Sequence, residues 1–274
     1  MKHLALRVSD PTHLQFDPRT ACPALAVRGI TAGYPGQRRA ITDVSFDVAR
    51  GQHIAIIGPN GAGKSTLFKA LVGLIPHSAG SISLHGEDCR TSHRLLAYVP
   101  QHEAIDWTFP VTVEDVVMMG RARKIGWLRW PRRSDRQAVD AALDQVGMRP
   151  LRTRQIGQLS GGQKRRVFIA RALAQDTDVL LLDEPFSGVD VAAEQEIMDT
   201  LQTLKQAGIT VLLATHDLSA ATRFDRVLLL KNGVIAYGDP QTVFTPDNLR
   251  RAYGDRVSVV GNGSQTIIIN DSHN

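Results

Sequence analysis

Residues 58 to 65 read Gly58-Pro59-Asn60-Gly61-Ala62-Gly63-Lys64-Ser65, a G-x-x-x-x-G-K-S octet set between two stretches of different period. Before it, His53-Ile54-Ala55-Ile56-Ile57 is apolar and β-branched, which predicts a strand. After it, Ser65 to Val72 carries a helix-compatible pattern. A strand, a glycine-rich turn and a helix in that order form a phosphate-binding loop. The glycines let backbone N–H groups come close to phosphate oxygens, and the helix N-terminus adds positive potential. This chain is therefore expected to bind a nucleoside triphosphate.

The rest of the chain extends the alternation of strand and helix. Leu25 to Ala32 and Val44 to Val48 read as strands flanking the turn-rich Gly33-Tyr34-Pro35-Gly36, and Ser81 to His85 as a short strand closed by Gly86. From about Thr91 to Gly157 the pattern predicts helices and Pro- or Gly-containing loops, clearest over Val111–Met119 and Gln137–Val146, with Pro131 breaking the stretch between them. A helix is expected from Ser160 through Ala174, and another from about Ala192 to Ala207. Val179-Leu180-Leu181-Leu182 and Thr210 to Ala214 are continuous apolar runs, the mark of parallel strands buried on both faces. Asn232-Gly233 predicts a hairpin between Arg226–Leu230 and Val234–Tyr237, and a last helix lies between Pro246 and Gly254. Together these predict an α/β core around a mostly parallel sheet, in one cassette without internal repeats.

Phosphoryl transfer needs charge neutralisation, a metal and a positioned water. Lys64 is expected to reach the β- and γ-phosphates, Ser65 to place its hydroxyl on Mg²⁺, and Thr66 to add a phosphate contact. Asp183 ends a buried apolar strand, where a carboxylate needs a cation or donors, so it is a candidate to hold Mg²⁺ through water. Glu184 follows. Its side chain would alternate away on a continuing strand, but at the strand end it can turn back as a general base. His216 closes the next apolar strand, and Gln101 follows Val99-Pro100.

The bulk numbers set the surroundings. The 274 residues carry 32 basic and 27 acidic side chains, and no apolar run approaches the length that spans a bilayer. The N-terminus is read as carrying no secretion signal, and Cys22 and Cys89 form no disulfide framework. His85, Cys89 and His93 fit no structural zinc spacing. The basic excess is local. Arg121 to Arg136 holds seven basic residues against one acid, Asp135, with Trp127 and Trp130 inside the run. It suits a solvated loop, a contact with a membrane partner or anionic headgroups, or, less well, nucleic acid.

The motifs, taken in order, resemble the ATPase subunits of ABC transporters over about Leu25 to Gly254. Walker A corresponds to 58–65, the signature segment to Leu159-Ser160-Gly161-Gly162-Gln163, Walker B to 179–184 and the switch histidine to His216. Tyr34 matches the adenine-stacking aromatic, Gln101 the Q-loop glutamine and Ser187-Gly188-Val189-Asp190 the D-loop. The resemblance implies a P-loop NTPase (ABC ATPase) fold with a mostly parallel sheet, an antiparallel β subdomain and a helical subdomain at about 91–160, all within 24–254. Residues 1–23 would be an extension and 255–274 a tail. It also implies ATP and Mg²⁺ as cofactors, with Ser65, Gln101 and Asp183 around the metal. A head-to-tail dimer, taken as a homodimer, would sandwich each nucleotide between one P-loop and the signature segment (Ser160, Gly161, Gly162, Gln163) of the other subunit. Glu184, His216, Gln101 and Lys64 would carry catalysis.

A narrower resemblance follows Gln101. Ile105-Asp106-Trp107-Thr108-Phe109-Pro110-Val111-Thr112-Val113 and Asp115 to Arg121 are similar to the ATPases of manganese, zinc and iron uptake systems, as are Leu159–Leu173 and Asp183–Asp190. This implies an ATPase on the cytoplasmic face of the membrane. It would work with integral permease subunits and an extracytoplasmic metal-binding protein, and with no nucleic acid. The transported metal would not bind this chain. The rival expectation is a soluble single-cassette ABC ATPase in a non-transport assembly.

Overall fold

The computed structural model describes residues 22–88, 95–101, 109–126, 129–254, 257–262 and 264–269. Most of the expected extension, together with Cys89, His93, the 105–108 part of the uptake-like segment and Trp127, lies outside the described residues.

Two sheets organise the chain. The first is antiparallel, with strand order β2-β1-β4-β5, built from β1 (Leu25–Tyr34), β2 (Gln37–Val48), β4 (His77–Leu84) and the two-residue β5 (Glu87–Asp88). β1 and β2 run further toward each other than the sequence predicts. They leave only Pro35-Gly36 as the turn, and register shifts absorb the irregularity between Val27 and Tyr34. The second sheet is six-stranded, in the order β10-β9-β3-β8-β7-β6. It holds β3 (His53–Ile57), β6 (Leu96–Val99), β7 (Val179–Asp183), β8 (Thr210–Thr215), β9 (Arg226–Lys231) and β10 (Gly233–Gly238). Only the β9–β10 hairpin is antiparallel, turning at Asn232 as its sequence predicts.

β6 is the main departure from the sequence reading, which assigns 91–157 to helices and loops. Leu96-Ala97-Tyr98-Val99 is too short to show a period, yet it pairs along the whole of its length with Val179–Leu182 at the sheet edge.

Alternation along the parallel strands gives the sheet two cores. Ile54 and Ile56 of β3 and Val179 and Leu181 of β7 face the antiparallel sheet and helix α1 (Lys64–Leu71). Ala55 and Ile57, with Leu180 and Leu182, face the helical side. α1 has eight residues, too few to be stable alone, so burial of Leu67, Phe68 and Leu71 holds it, at roughly 1.5–3 kcal/mol each.

The helical side begins with α2 (Val113–Met118) and the single-turn α3 (Ala122–Ile125). α2 starts at Val113, not Val111, because Thr112 is its cap. Thr112 Oγ1 accepts from Asp115 N at 3.2 Å while Asp115 Oδ2 accepts from Thr112 N at 2.9 Å. α4 (Arg133–Gln145) starts earlier than the predicted Gln137, since Asp135 Oδ2 accepts from Arg132 N at 3.0 Å and closes the first turn just past Pro131. α5 (Gly161–Leu173) and α6 (Val191–Gln206) pack against β6 to β8. Three short helices follow: α7 (Leu218–Ala221), α8 (Pro240–Val243) and α9 (Pro246–Tyr253). Among the described residues, β11 (Val257–Asn262) and β12 (Ser264–Ile269) pair with each other in a separate two-stranded sheet, so part of the expected tail is a hairpin. No helix among the described residues is long and apolar enough to cross a membrane.

Candidate functional site

In the parallel sheet β3 sits between β8 and β9, so successive strands are added on opposite sides of it, and such a switch point opens a crevice at the carboxyl ends. Ile57 pairs with Thr215 and Asp183 with Ala214, which brings the strand ends level. The residues just beyond those ends, Gly58, Glu184 and His216, therefore share one edge, and Gln101 lies two residues past β6.

The loop from Gly58 to Gly63 needs glycine for two distinct reasons. A Cβ on Gly58 would sit 2.2 Å from the Leu230 carbonyl oxygen, and Gly63 holds φ at +100° with Ile41 Cγ2 2.3 Å from where a Cβ would be. Pro59 closes a turn by accepting from Ala62 N at 3.0 Å, while Asn60 and Gly61 are exposed. Asn232 fixes the loop from the hairpin. Its N–H donates to Ala62 O at 2.9 Å and its Nδ2 to Ala40 O at 2.9 Å. Asn232 enters the sequence reading only as a turn residue. α1 then starts at Lys64, and its first N–H groups have no partner within the helix. Ser65 is half-buried and Thr66 buried on this first turn.

Lys64 is folded back into the site. Its Nζ donates to Gly58 O at 2.8 Å and stands 3.5 Å from Glu184 Oε1, and both side chains are buried. Glu184 reaches this position through its backbone, which takes φ +49°, a left-handed conformation that costs a non-glycine residue about 1–3 kcal/mol. Three hydrogen bonds hold that conformation. Glu184 N donates to Ala214 O at 2.9 Å, and Glu184 O accepts from Ser187 N at 3.1 Å and from Arg165 Nη2 at 3.3 Å. The other carboxylate oxygen, Oε2, meets His216 Nδ1 at 2.9 Å, and the His216 ring is largely exposed.

Asp183 is buried. Its Oδ2 accepts from Tyr98 Oη at 3.0 Å, whereas Oδ1 is buried with no partner among the described residues. An orphaned carboxylate oxygen beside a phosphate loop fits a cation or its water, so the chemistry of this residue suits Mg²⁺. Gln101 Nε2 makes only a long contact, 3.5 Å, to Ser187 Oγ. Tyr34 ends β1, where Lys69 Nζ lies 3.4 Å from its hydroxyl and 5.7 Å from the ring centroid.

The signature segment opens α5. Ser160 Oγ accepts from Gln163 N at 3.2 Å and Gln163 Oε1 from Ser160 N at 3.1 Å, a capping box that leaves Ser160 and Gly161 exposed at the helix N-terminus. Gly162 is buried against Ala193 of α6. Asp190 caps α6, its Oδ1 accepting from Ala193 N at 2.8 Å.

Three further residues touch the site without a motif to announce them. Arg165, on α5, donates to the carbonyl oxygens of Pro100 (3.1 Å), Gln101 (3.1 Å) and Glu184 (3.3 Å), tying the signature helix to both loops. Tyr98 orients Asp183. Tyr253 buries a hydroxyl with no partner among the described residues, and burial, reinforced by the negative charge of Glu184, pushes its pKa up. Only Asn232 had a usable signal in the sequence, its turn dipeptide. His85, outside this region, bonds to Asp178 Oδ2 at 3.0 Å.

Known proteins resemble this chain in sequence and fold. The family described as ABC transporter matches residues 41–187. The manganese transport system ATP-binding protein MntB of Bacillus subtilis (strain 168) is 47% identical over 230 residues, covering 84% of this chain and 92% of that one. The zinc transport system ATP-binding protein TroB of Treponema pallidum (strain Nichols) is 48% identical over 236 residues, 86% and 88% of the two chains. Among solved structures, a metal-chelate type ABC transporter in an inward-facing conformation superposes with a TM-score of 0.76 at 29% identity, covering 89% of this chain and 96% of that one. The chain belongs to the ABC transporter family, as one of its ATP-binding, ATP-hydrolysing subunits.

Proposed function

We propose that this subunit hydrolyses ATP to drive uptake of a divalent transition metal, manganese, zinc or iron, through separate membrane permease subunits. The observation that carries the hydrolytic half is Glu184, whose two carboxylate oxygens face Lys64 and His216. The import half is supported by relatives named for manganese and zinc transport, and by the Yersinia pestis chelated iron transport system protein YfeB, 48% identical over 237 residues and covering 85% of this chain and 79% of that one. The metal is cargo of the permease and of an extracytoplasmic binding protein, and it does not bind here.

In this reading the phosphates of ATP lie in the loop of Gly58, Pro59, Asn60, Gly61, Ala62 and Gly63, receiving N–H groups from Lys64, Ser65 and Thr66, with adenine stacked on Tyr34. Lys64 swings from Gly58 O to the γ-phosphate. Glu184 then accepts a proton from the attacking water as that oxygen bonds to γ-phosphorus. The bond to the bridging oxygen breaks, giving ADP and phosphate. His216 holds Glu184 and the γ-phosphate in register, and Gln101 reports nucleotide occupancy to the helical segment at about 91–160, within the ATP-binding domain 24–254. Ser65, Gln101 and Asp183 would hold Mg²⁺, which supplies neutralisation of the β- and γ-phosphate charge. Ser160, Gly161, Gly162 and Gln163 act on the nucleotide of a second copy, with Asp190 at the same junction. The complex sits on the cytoplasmic face of the membrane.

The experiment is a chromosomal Glu184→Gln substitution with uptake of radiolabelled manganese, zinc and iron measured in parallel. One of the three should fall to the level of a deletion strain. Unchanged uptake of all three, with ATP hydrolysis abolished, overturns the import reading while the assignment of ATP hydrolysis to this chain stands.

A further inference from the structure

We propose that the surface formed by Arg123, Arg129, Trp130, Arg132, Arg133 and Arg136 is a contact surface for anionic phospholipid headgroups. Three observations converge on it. Trp130 is 91% exposed, the most exposed of the large apolar side chains among the described residues. Arg123, Arg129, Arg132, Arg133 and Arg136 are exposed around it. Beneath the indole runs an open groove of about 680 Å³ whose apolar walls include Met118, Met119, Ile125 and Pro131.

The charge is unbalanced by construction. The only carboxylate between Arg121 and Arg136 is Asp135, and it is buried, bonded by Arg121 Nε at 3.1 Å. Arg121, which the sequence counts with the basic run, is itself buried and donates from Nη1 to Ala174 O at 2.9 Å and to Asp176 Oδ2 at 2.7 Å. Lys124 also bonds to Asp176. Arg121 and Asp135 are thus clamped to each other and to the end of α5, while the arginines and Trp130 are exposed. The one acid in the groove wall, Asp115, is already engaged by Thr112 N (2.9 Å) and Thr112 Oγ1 (2.6 Å).

Exposed guanidinium groups beside an indole match the chemistry of a bilayer interface. Tryptophan settles at headgroup depth, and basic side chains meet anionic headgroups within a Debye length. An acidic protein segment would match the arginines equally well. It would not by itself account for an indole left 91% exposed at the groove's edge, which the headgroup region of a bilayer accepts. The surface extends the import reading by adding lipid to what the subunit touches. Its test uses neither permease nor metal, so the two readings fail separately.

The test is co-sedimentation of the full chain with phosphatidylglycerol/phosphatidylcholine vesicles, against phosphatidylcholine alone. Binding is expected only to the anionic vesicles and should weaken with salt. Arg129→Gln/Arg132→Gln/Arg133→Gln should lower partitioning about 100-fold, at roughly fivefold per arginine. The charge-matched control Arg223→Gln/Arg250→Gln/Arg251→Gln removes exposed arginines elsewhere and should have little effect. A second measurement leaves the arginines intact. In a Trp107→Phe/Trp127→Phe background, emission from Trp130 should move to the blue on anionic vesicles. Equal loss in the control would mean diffuse charge attraction and overturns the proposal. So does an absence of binding to anionic vesicles, which would leave the patch to an acidic protein segment, and so does an unshifted Trp130 spectrum on bound protein.

Discussion

His216 Nδ1 lies 2.9 Å from Glu184 Oε2, although 32 residues separate them. The pairing follows from register. Asp183 is opposite Ala214 in adjacent parallel strands, so the residues that leave those strand ends emerge side by side. The left-handed turn at Glu184 then aims its carboxylate at both His216 and Lys64 rather than letting it alternate away.

Glu184→Gln keeps the shape of the side chain and removes its ability to take a proton. Turnover is expected to fall roughly 10²–10⁴-fold, with nucleotide affinity retained and an ATP-bound dimer accumulating in gel filtration. His216→Ala should also lower kcat with binding intact. Steady-state hydrolysis beside equilibrium titration of a fluorescent ATP analogue separates the two effects.

Lys64→Ala should behave in the opposite way. The ammonium is a charge-assisted donor, and its loss should weaken ATP binding by about 1.5–3 kcal/mol, roughly 10- to 150-fold in Kd. It also leaves Glu184 buried without its cation, so the nucleotide-free protein should melt at a lower temperature than wild type, and further below it than Glu184→Gln does. Calorimetry without nucleotide checks this.

Arg165 positions the site without reaching the reacting atoms. Arg165→Lys keeps the charge but cannot bridge the carbonyls of Pro100, Gln101 and Glu184 together. A fall in kcat of about tenfold is expected, with KM for ATP and thermal stability near wild type. A change in KM alone would contradict a positioning role.

His53 makes stability depend on pH. It is buried at 4% exposure, and burial holds its imidazole at a pKa of about 4 against an ordinary 6.5, with Nε2 3.2 Å from Ile209 O. Between those values the unfolded chain binds a proton that the folded chain does not, so stability falls as pH drops from about 6.5 toward 4, by roughly 3 kcal/mol over the window. His53→Gln should flatten that slope in denaturant melts at pH 7, 6 and 5. Asp225, held below its ordinary carboxylate range despite burial by Lys205 and by His53 N–H, adds a loss of the same sign at lower pH.

The family and the core of the fold were legible in the sequence because they are carried by local patterns. Gly58 to Ser65 specifies a turn and a helix start, Val179 to Leu182 a strand buried on both faces, and the stretch from Ser160 to Ala174 a helix. Each depends on neighbours within a few residues, so the order of motifs along the chain identified the family and its core. Boundaries were legible only where a cap revealed itself, which is why α4 starts earlier than its periodicity implies.

Tertiary structure alone decided what depends on pairing across distance. Leu96–Val99 is a strand because β7 offers it an edge, Arg165 matters because three distant carbonyls converge on it, and Arg121 is buried because Asp135 and Asp176 close over it. A local pattern records which conformation a segment prefers. It carries no record of which remote backbone will satisfy its hydrogen bonds, and burial of those bonds is settled only when the sheet assembles.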